Sequence, residues 1–251
     1  MKNMKSIFLL ILTSLFILPV QAQHTLKLMS YNIRNGNGMD NVCNYQRIAD
    51  VINNASPDIV AVQELDSMTN RSGKKYVLGE IAKLTGMRAY YAPAIKHDGG
   101  KYGIGLLSKK APIRLKTMPL PGREEARMLV LAEFKDYIYC CTHMSLTEAD
   151  RIKSIELLKD FVASCKKPLF LAGDMNDEPE SEFIKELQKE FRIMSDPEQF
   201  TFPASKPKAT IDYIVGLKRT TNGCTVMSAE VVNEPVASDH RPLVVKLRIA
   251  K

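Results

Sequence analysis

The sequence predicts an α/β or α+β domain, on three observations. Short apolar runs alternate with amphipathic stretches along the chain. With 45% hydrophobic and 25% charged residues, the composition is that of an ordinary globular protein. The 251 residues suffice for one large domain or two small ones with a sizeable core. Thirteen Gly and thirteen Pro are scattered, which excludes collagen-like and low-complexity chains.

The first segment stands apart from this pattern. Lys2 and Lys5 precede an apolar run from Ile7 to Leu18, Pro19 ends it, and Val20-Gln21-Ala22 follows. A basic start, a short apolar run and small residues at −3 and −1 describe a secretory signal. The run is shorter than the roughly 20 residues of a membrane span. Residues 1–22 are therefore expected to be a signal peptide and residues 23–251 one domain, exported to the periplasm or secreted and monomeric. Removing 22 of the 251 residues takes away two lysines and leaves 229, so the net charge falls from +7 to +5. The remaining excess favours anionic partners such as nucleic acid, phosphoesters or anionic lipid. However, Lys74-Lys75, Lys109-Lys110 and Lys166-Lys167 are dispersed pairs and not one stripe.

Strands are expected at 26–33, 59–63, 89–93, 104–108, 128–134, 137–142, 169–173, 211–215 and 243–249, and helices at 41–54, 75–84, 148–164 and 180–190. Thr147 and Asp150 resemble a capping box opening the third helix. Ile152, Ile155, Leu158, Val162 and Cys165 form its apolar stripe, as Tyr45, Ile48 and Ile52 do for the first. Met118–Arg123 and Phe200–Lys208 read as surface loops and as places for substrate contact. Five cysteines show no C-x-x-C pattern, and export would permit one disulfide. Adjacent Cys140 and Cys141 should point to opposite faces of a strand as small core residues.

The chemistry-bearing residues cluster where apolar runs end. Asn32 closes the first run, Glu64 the second, and Asp174 with Asn176 a later one. Residues two apart on an extended chain share a face, so this last pair is expected to address one point. Asp212 lies in Thr210-Ile211-Asp212-Tyr213-Ile214, and Ser238-Asp239-His240 precedes the final run. Singly, each has an ordinary reading as a turn, cap or surface residue. Together, Glu64, Asp239 and Asn32 supply the oxygen ligands a hard cation such as Mg²⁺ takes. No Cys/His cluster competes for zinc, and no G-x-S-x-G elbow, P-loop or G-x-G-x-x-G fingerprint is present.

The ordered fragments Ser30-Tyr31-Asn32-Ile33, Val62-Gln63-Glu64-Leu65-Asp66, Tyr102-Gly103-Ile104-Gly105-Leu106-Leu107-Ser108, Thr142-His143-Met144, Gly173-Asp174-Met175-Asn176, Ile211-Asp212-Tyr213 and Ser238-Asp239-His240-Arg241-Pro242 resemble the endonuclease/exonuclease/phosphatase superfamily, the deoxyribonuclease I-like fold. The resemblance runs from about Leu26 to Ile249. It implies a four-layered α/β sandwich, two mixed sheets face to face with helices outside, and Mg²⁺- or Mn²⁺-dependent phosphoester hydrolysis. By the same resemblance Glu64, Asn32 and Asp239 are metal ligands. Asp174 orients or deprotonates the attacking water, and Asn176 stabilises the transition state. Asp212 supports His240, which faces the phosphate. His143 contacts phosphate or aids the leaving group. Arg127 and Tyr102 bind substrate, and Asp66 is a supporting residue.

Within the family, abasic-site endonucleases carry Trp-Arg before Leu-Asp-Tyr. Here Thr210 and Ile211 precede Asp212 and there is no Trp, which argues against a dedicated DNA-repair role. The expected substrate is a phosphodiester or phosphomonoester: nucleic acid, a small phosphate or a phospholipid headgroup. The contrasting expectation is a non-catalytic phosphoester-binding protein on the same fold.

Overall fold

The computed structural model describes residues 24–249. The expected export signal, residues 1–22, lies outside them. Strand β1 (His24–Asn32) leads through a 3-10 turn into helix α1 (Tyr45–Ala55) and on to β2 (Ile59–Ser67). Helix α2 (Val77–Thr85) precedes the hairpin of β3 (Arg88–His97) and β4 (Gly100–Ser108). A meander follows, β5 (Arg114–Leu120), β6 (Arg127–Glu133) and β7 (Ile138–His143), and α3 (Glu148–Val162) crosses to β8 (Leu169–Asp174). The chain ends with α4 (Glu182–Glu190), β9 (Phe191–Ile193), β10 (Asp212–Leu217), α5 (Lys218–Thr221), β11 (Cys224–Val231) and β12 (Leu243–Ile249).

The strands form two six-stranded sheets, ordered β11-β12-β1-β2-β4-β3 and β5-β6-β7-β8-β10-β9. Each contains one parallel pair near its middle, β1 with β2 and β7 with β8. A parallel pair needs a crossover, and α1 and α3 supply the two. Three apolar layers separate the four structural ones. Leu28, Ile59, Leu106, Tyr139, Phe170 and Ile214 fill the space between the sheets. Met29, Val60 and Leu107 face α1 and α2 outside the first sheet, and Leu129, Leu169 and Val215 face α3 and α4 outside the second. Alternate residues of one strand thus enter different layers. Cys140 and Cys141 do the same, one in the outer layer and one between the sheets.

Several expectations need correction. All five cysteines are free, so there is no disulfide. The capping box at α3 does not form: the Thr147 side chain makes no capping bond, and Asp150 instead takes the guanidinium of Arg123. Ile152 of the α3 stripe is only partly buried, while Arg151 and Ser154 are buried. Met118–Arg123 is not wholly a loop, because Met118, Pro119 and Leu120 pair with β6 as the end of β5. Three strands that the apolar pattern misses, β5, β9 and β11, all lie at sheet edges.

Candidate active site

Strand direction builds the site. Both parallel pairs run toward the same end of the sandwich. There β1 ends at Asn32, and β7 and β8 end side by side at His143 and Asp174. Strand β10 starts at that end, with Asp212 opposite Asp174. The loop before β12 returns over it and brings Asp239 and His240.

Local backbone then aims individual side chains. Glu64 does not end its strand as expected; β2 continues to Ser67. The β2–β4 register shifts between Val62 and Leu65, and Glu64 sits there with φ of 60°. A bulge of this kind re-aims one side chain without ending the strand. Gly173 has φ of 155°, and a Cβ there would lie 2.0 Å from the Thr142 carbonyl oxygen. Only glycine lets β7 and β8 approach closely just before Asp174. Asn176 meets Asp174 by a turn, not by extended alternation: its φ is 52°, and its backbone N–H donates to Asp174 Oδ1 at 2.9 Å.

All ten expected site residues line or directly buttress one cleft of about 470 Å³. Glu64, Tyr102, Arg127, His143, Asp174, Asn176, Asp239 and His240 line it. Asp212 stands behind, its Oδ2 2.9 Å from His240 Nδ1. The Asp212 carboxylate accepts the Nδ1 proton and leaves Nε2 facing Asp174 Oδ2 at 3.7 Å. On the other side His143 Nε2 lies 3.5 Å from the same oxygen.

The tenth residue, Asn32, bonds two of the acids that line the cleft. Its Nδ2 donates to Glu64 Oε1 at 2.9 Å and to Asp174 Oδ2 at 3.0 Å, while its Oδ1 accepts from the Arg34 N–H. Asn32 braces the two acids through Nδ2, and its Oδ1 faces the Arg34 backbone. Asp66 lies away from the cleft, buried beneath Arg71.

The electrostatics follow from burial and from acids placed behind each ring. Burial alone would lower the pKa of His240, but Asp212, Asp174 and Asp239 outweigh it and raise it to about 10. Burial lowers that of His143 to about 4, and only Asp174 and Glu124 pull against this. Burial also raises the pKa of Glu64; Asn32 opposes the shift, and Asp239 and Asp174 add to it. Three carboxylates, Glu64, Asp174 and Asp239, face one cleft, and a cation joining them would offset their mutual repulsion. Their hard oxygen chemistry fits Mg²⁺ or Mn²⁺ at Glu64 and Asp239. Asp174, Asp212 and His240 also lie close enough to share an ion. The short Asp212–His240 bond, however, already engages that histidine nitrogen.

Other residues in and around the cleft were not among the expected site residues. Glu125 accepts from Arg127 Nη1 at 2.9 Å and holds that guanidinium at the rim. Glu124 accepts from Ser145 Oγ and from the Leu146 N–H, tying the loop after β7 to the loop before β6. Phe202 stacks at a tilt on His240, ring centres 4.9 Å apart, and comes from the 200–208 loop marked for substrate contact. A larger open depression of about 640 Å³ lies at the β3–β4 hairpin and contains none of the expected site residues. No helix among the described residues is long and apolar enough to cross a membrane.

Solved structures share this architecture. A Bacteroides vulgatus endonuclease/exonuclease/phosphatase superposes with a TM-score of 0.73 at 18% identity, covering 90% of this chain and 99% of that one. The Bacteroides thetaiotaomicron mannosyl-6-phosphatase does so with a TM-score of 0.69 at 17% identity, covering 88% and 99%. The human Nocturnin catalytic domain with bound sulfate reaches 0.65 at 19%, covering 89% and 94%. No curated protein matches the chain by sequence. Over residues 29–240 the sequence matches the Endonuclease/Exonuclease/phosphatase family, and the chain belongs to that family, whose members are generally hydrolases of phosphoesters.

Proposed function

We propose that this chain is a divalent-metal-dependent phosphoester hydrolase that acts first on phosphodiesters, with Asp174 and His240 at its centre. The observation that carries this reading is Asp174 Oδ2, which stands 3.5 and 3.7 Å from two histidines of opposite charge preference. Asp174 accepts a proton from the attacking water, which must lie within hydrogen-bond reach of its carboxylate. The backbone of Asn176 and the amide of Asn32 hold that carboxylate in place. Asn176 uses one amide proton on the Met144 carbonyl and keeps a second for a phosphoryl oxygen. Protonated His240, fixed by Asp212, directs Nε2–H at developing negative charge. Neutral His143 serves the leaving-group side, and Arg127 and Tyr102 hold the ester at the rim. Glu64 and Asp239 are the residues that would hold Mg²⁺ or Mn²⁺. Held there, such an ion would supply neutralisation of phosphoryl charge and stabilisation of the leaving oxygen.

The test is a panel with Mg²⁺ or Mn²⁺ of mono- and bis-nitrophenyl phosphate, DNA, RNA, inositol phosphates and sphingomyelin. Hydrolysis that chelation abolishes and either ion restores is expected, strongest on a diester. A monoester preference would reverse the diester assignment, full activity after chelation would end the metal assignment, and binding without turnover would make the chain a phosphoester-binding protein. Residues 1–22 belong to the same proposal as an export signal, and N-terminal sequencing of the secreted protein should begin at Gln23.

A further inference from the structure

Beyond Tyr102 the cleft opens into a smaller one of about 140 Å³, which shares Glu64, Tyr102 and Glu125 with it and adds Arg71 and His97. His97 also borders the open depression at the hairpin. The smaller cleft thus shares residues with each of the other two spaces and lies between them, on a path leading away from Asp174. Arg71 is placed on this path with unusual rigidity for an exposed arginine. Its Nε and Nη2 donate to the two oxygens of Asp66 at 2.7 and 2.8 Å. Asp66 is buried, with only 1% of its surface exposed, so the fork has a fixed base. The guanidinium lies 5.5 Å from the Tyr102 ring centre, and His97 stands 5.8 Å from the same ring.

The fork leaves Nη1 with no partner among the described residues. The other acid unique to neither space, Glu125, is already bonded to Arg127. A planar donor held rigid, with one edge open to a small cleft, matches a phosphoryl or carboxylate oxygen. Holding it in place beforehand lowers the ordering cost of binding.

We propose that Arg71 anchors a second anionic group of the substrate, on the far side of Tyr102 from His143. This rests on the phosphoesterase reading in assuming a first phosphoryl group at Glu64. A neighbouring nucleotide phosphate and a second phosphate on a sugar offer the same oxygens.

The experiment is binding calorimetry in Mg²⁺ with propane-1,3-bisphosphonate against propylphosphonate. The wild type should hold the bisphosphonate at least about tenfold tighter, the size of one charge-assisted contact. Arg71→Ala should bring that ratio near one. Because it strands buried Asp66, Arg71→Gln is measured beside it; it keeps a donor for Asp66 without the cationic fork, and the ratio should fall there too. A wild-type ratio near one, or a ratio unchanged in the folded variants, overturns the proposal, as does equal weakening of both ligands. A wild type that binds with the expected ratio but hydrolyses no ester overturns the function and leaves the subsite. Two further arms separate the sources by turnover: a dinucleotide with and without a 5′-phosphate, and a hexose bisphosphate against the monophosphate. The arm in which Arg71→Gln erases the larger preference names the source, and no Arg71-dependent preference in either arm overturns the anchoring role in turnover.

Discussion

His143 and His240 face one carboxylate oxygen from opposite sides, and both are buried, with 8% and 5% of their surface exposed. Burial disfavours the charged ring in both. The difference is the group behind each one. Asp212 bonds His240 from the rear and, with Asp174 and Asp239, outweighs burial, while among the described residues no acid bonds His143 from behind and burial holds its pKa down to about 4. Two identical side chains thus become a cation and a neutral base through what lies on their far side.

The strongest way to break this comparison is to remove the point the rings share. Asp174→Asn should lower kcat by about 10³-fold or more while the circular dichroism spectrum stays native. Near-normal turnover would end its role as base. Asp212→Asn should come next, with kcat down by about 10²- to 10⁴-fold as the tautomer and charge of His240 lose their support. The imidazole NMR titration of His240 should then move down from about 10. An unmoved titration would mean that Asp212 is not its main partner. His143→Gln is expected to cost less, about 10- to 10²-fold, since no charge is removed.

The smallest effect, on stability, sharpens the contrast. The folded pKa of His240 lies above the unfolded value of about 6.5, so its contribution is complete below that pH and is lost as pH rises through about 10. For His143 the sign reverses. Between about 6.5 and 4 the unfolded chain takes up a proton that the folded chain refuses, so stability falls as pH falls. Urea melts under chelation should show His143→Gln losing less stability than wild type across that interval, by on the order of 1 to 3 kcal/mol. Parallel curves would show that His143 is not held neutral.

What the sequence made legible follows burial. Strands such as Leu169–Asp174 are covered on both faces and stand out as unbroken apolar runs. The missed strands carry polar or exposed residues: Arg114–Thr117 in β5 are all exposed, and β11 is mostly so. An edge strand covered on one face at most gives no such run. The site divides the same way. Asn32, Asp174 and Asp212 sit at the junction of an apolar run and the cleft, where a polar residue is conspicuous. Arg71 and Glu125 lie in loops whose neighbours show no period, and only folding brings them to the clefts. The bulge that turns Glu64 inward is likewise a property of β2 paired with β4, not of either strand alone.

Asn32 belongs to the first sheet and Asp174 to the second, as do, respectively, the chain leading from His240 into β12 and Asp212. The reactive centre is therefore a seam between two halves that are each held by their own ladders. A chain whose sheets had formed but not docked would keep its far-ultraviolet signature and have no working centre. Recovery of the proposed turnover on refolding should then report the closing of the sandwich itself, later than the growth of secondary structure, so that the activity would serve as a clock for that final event.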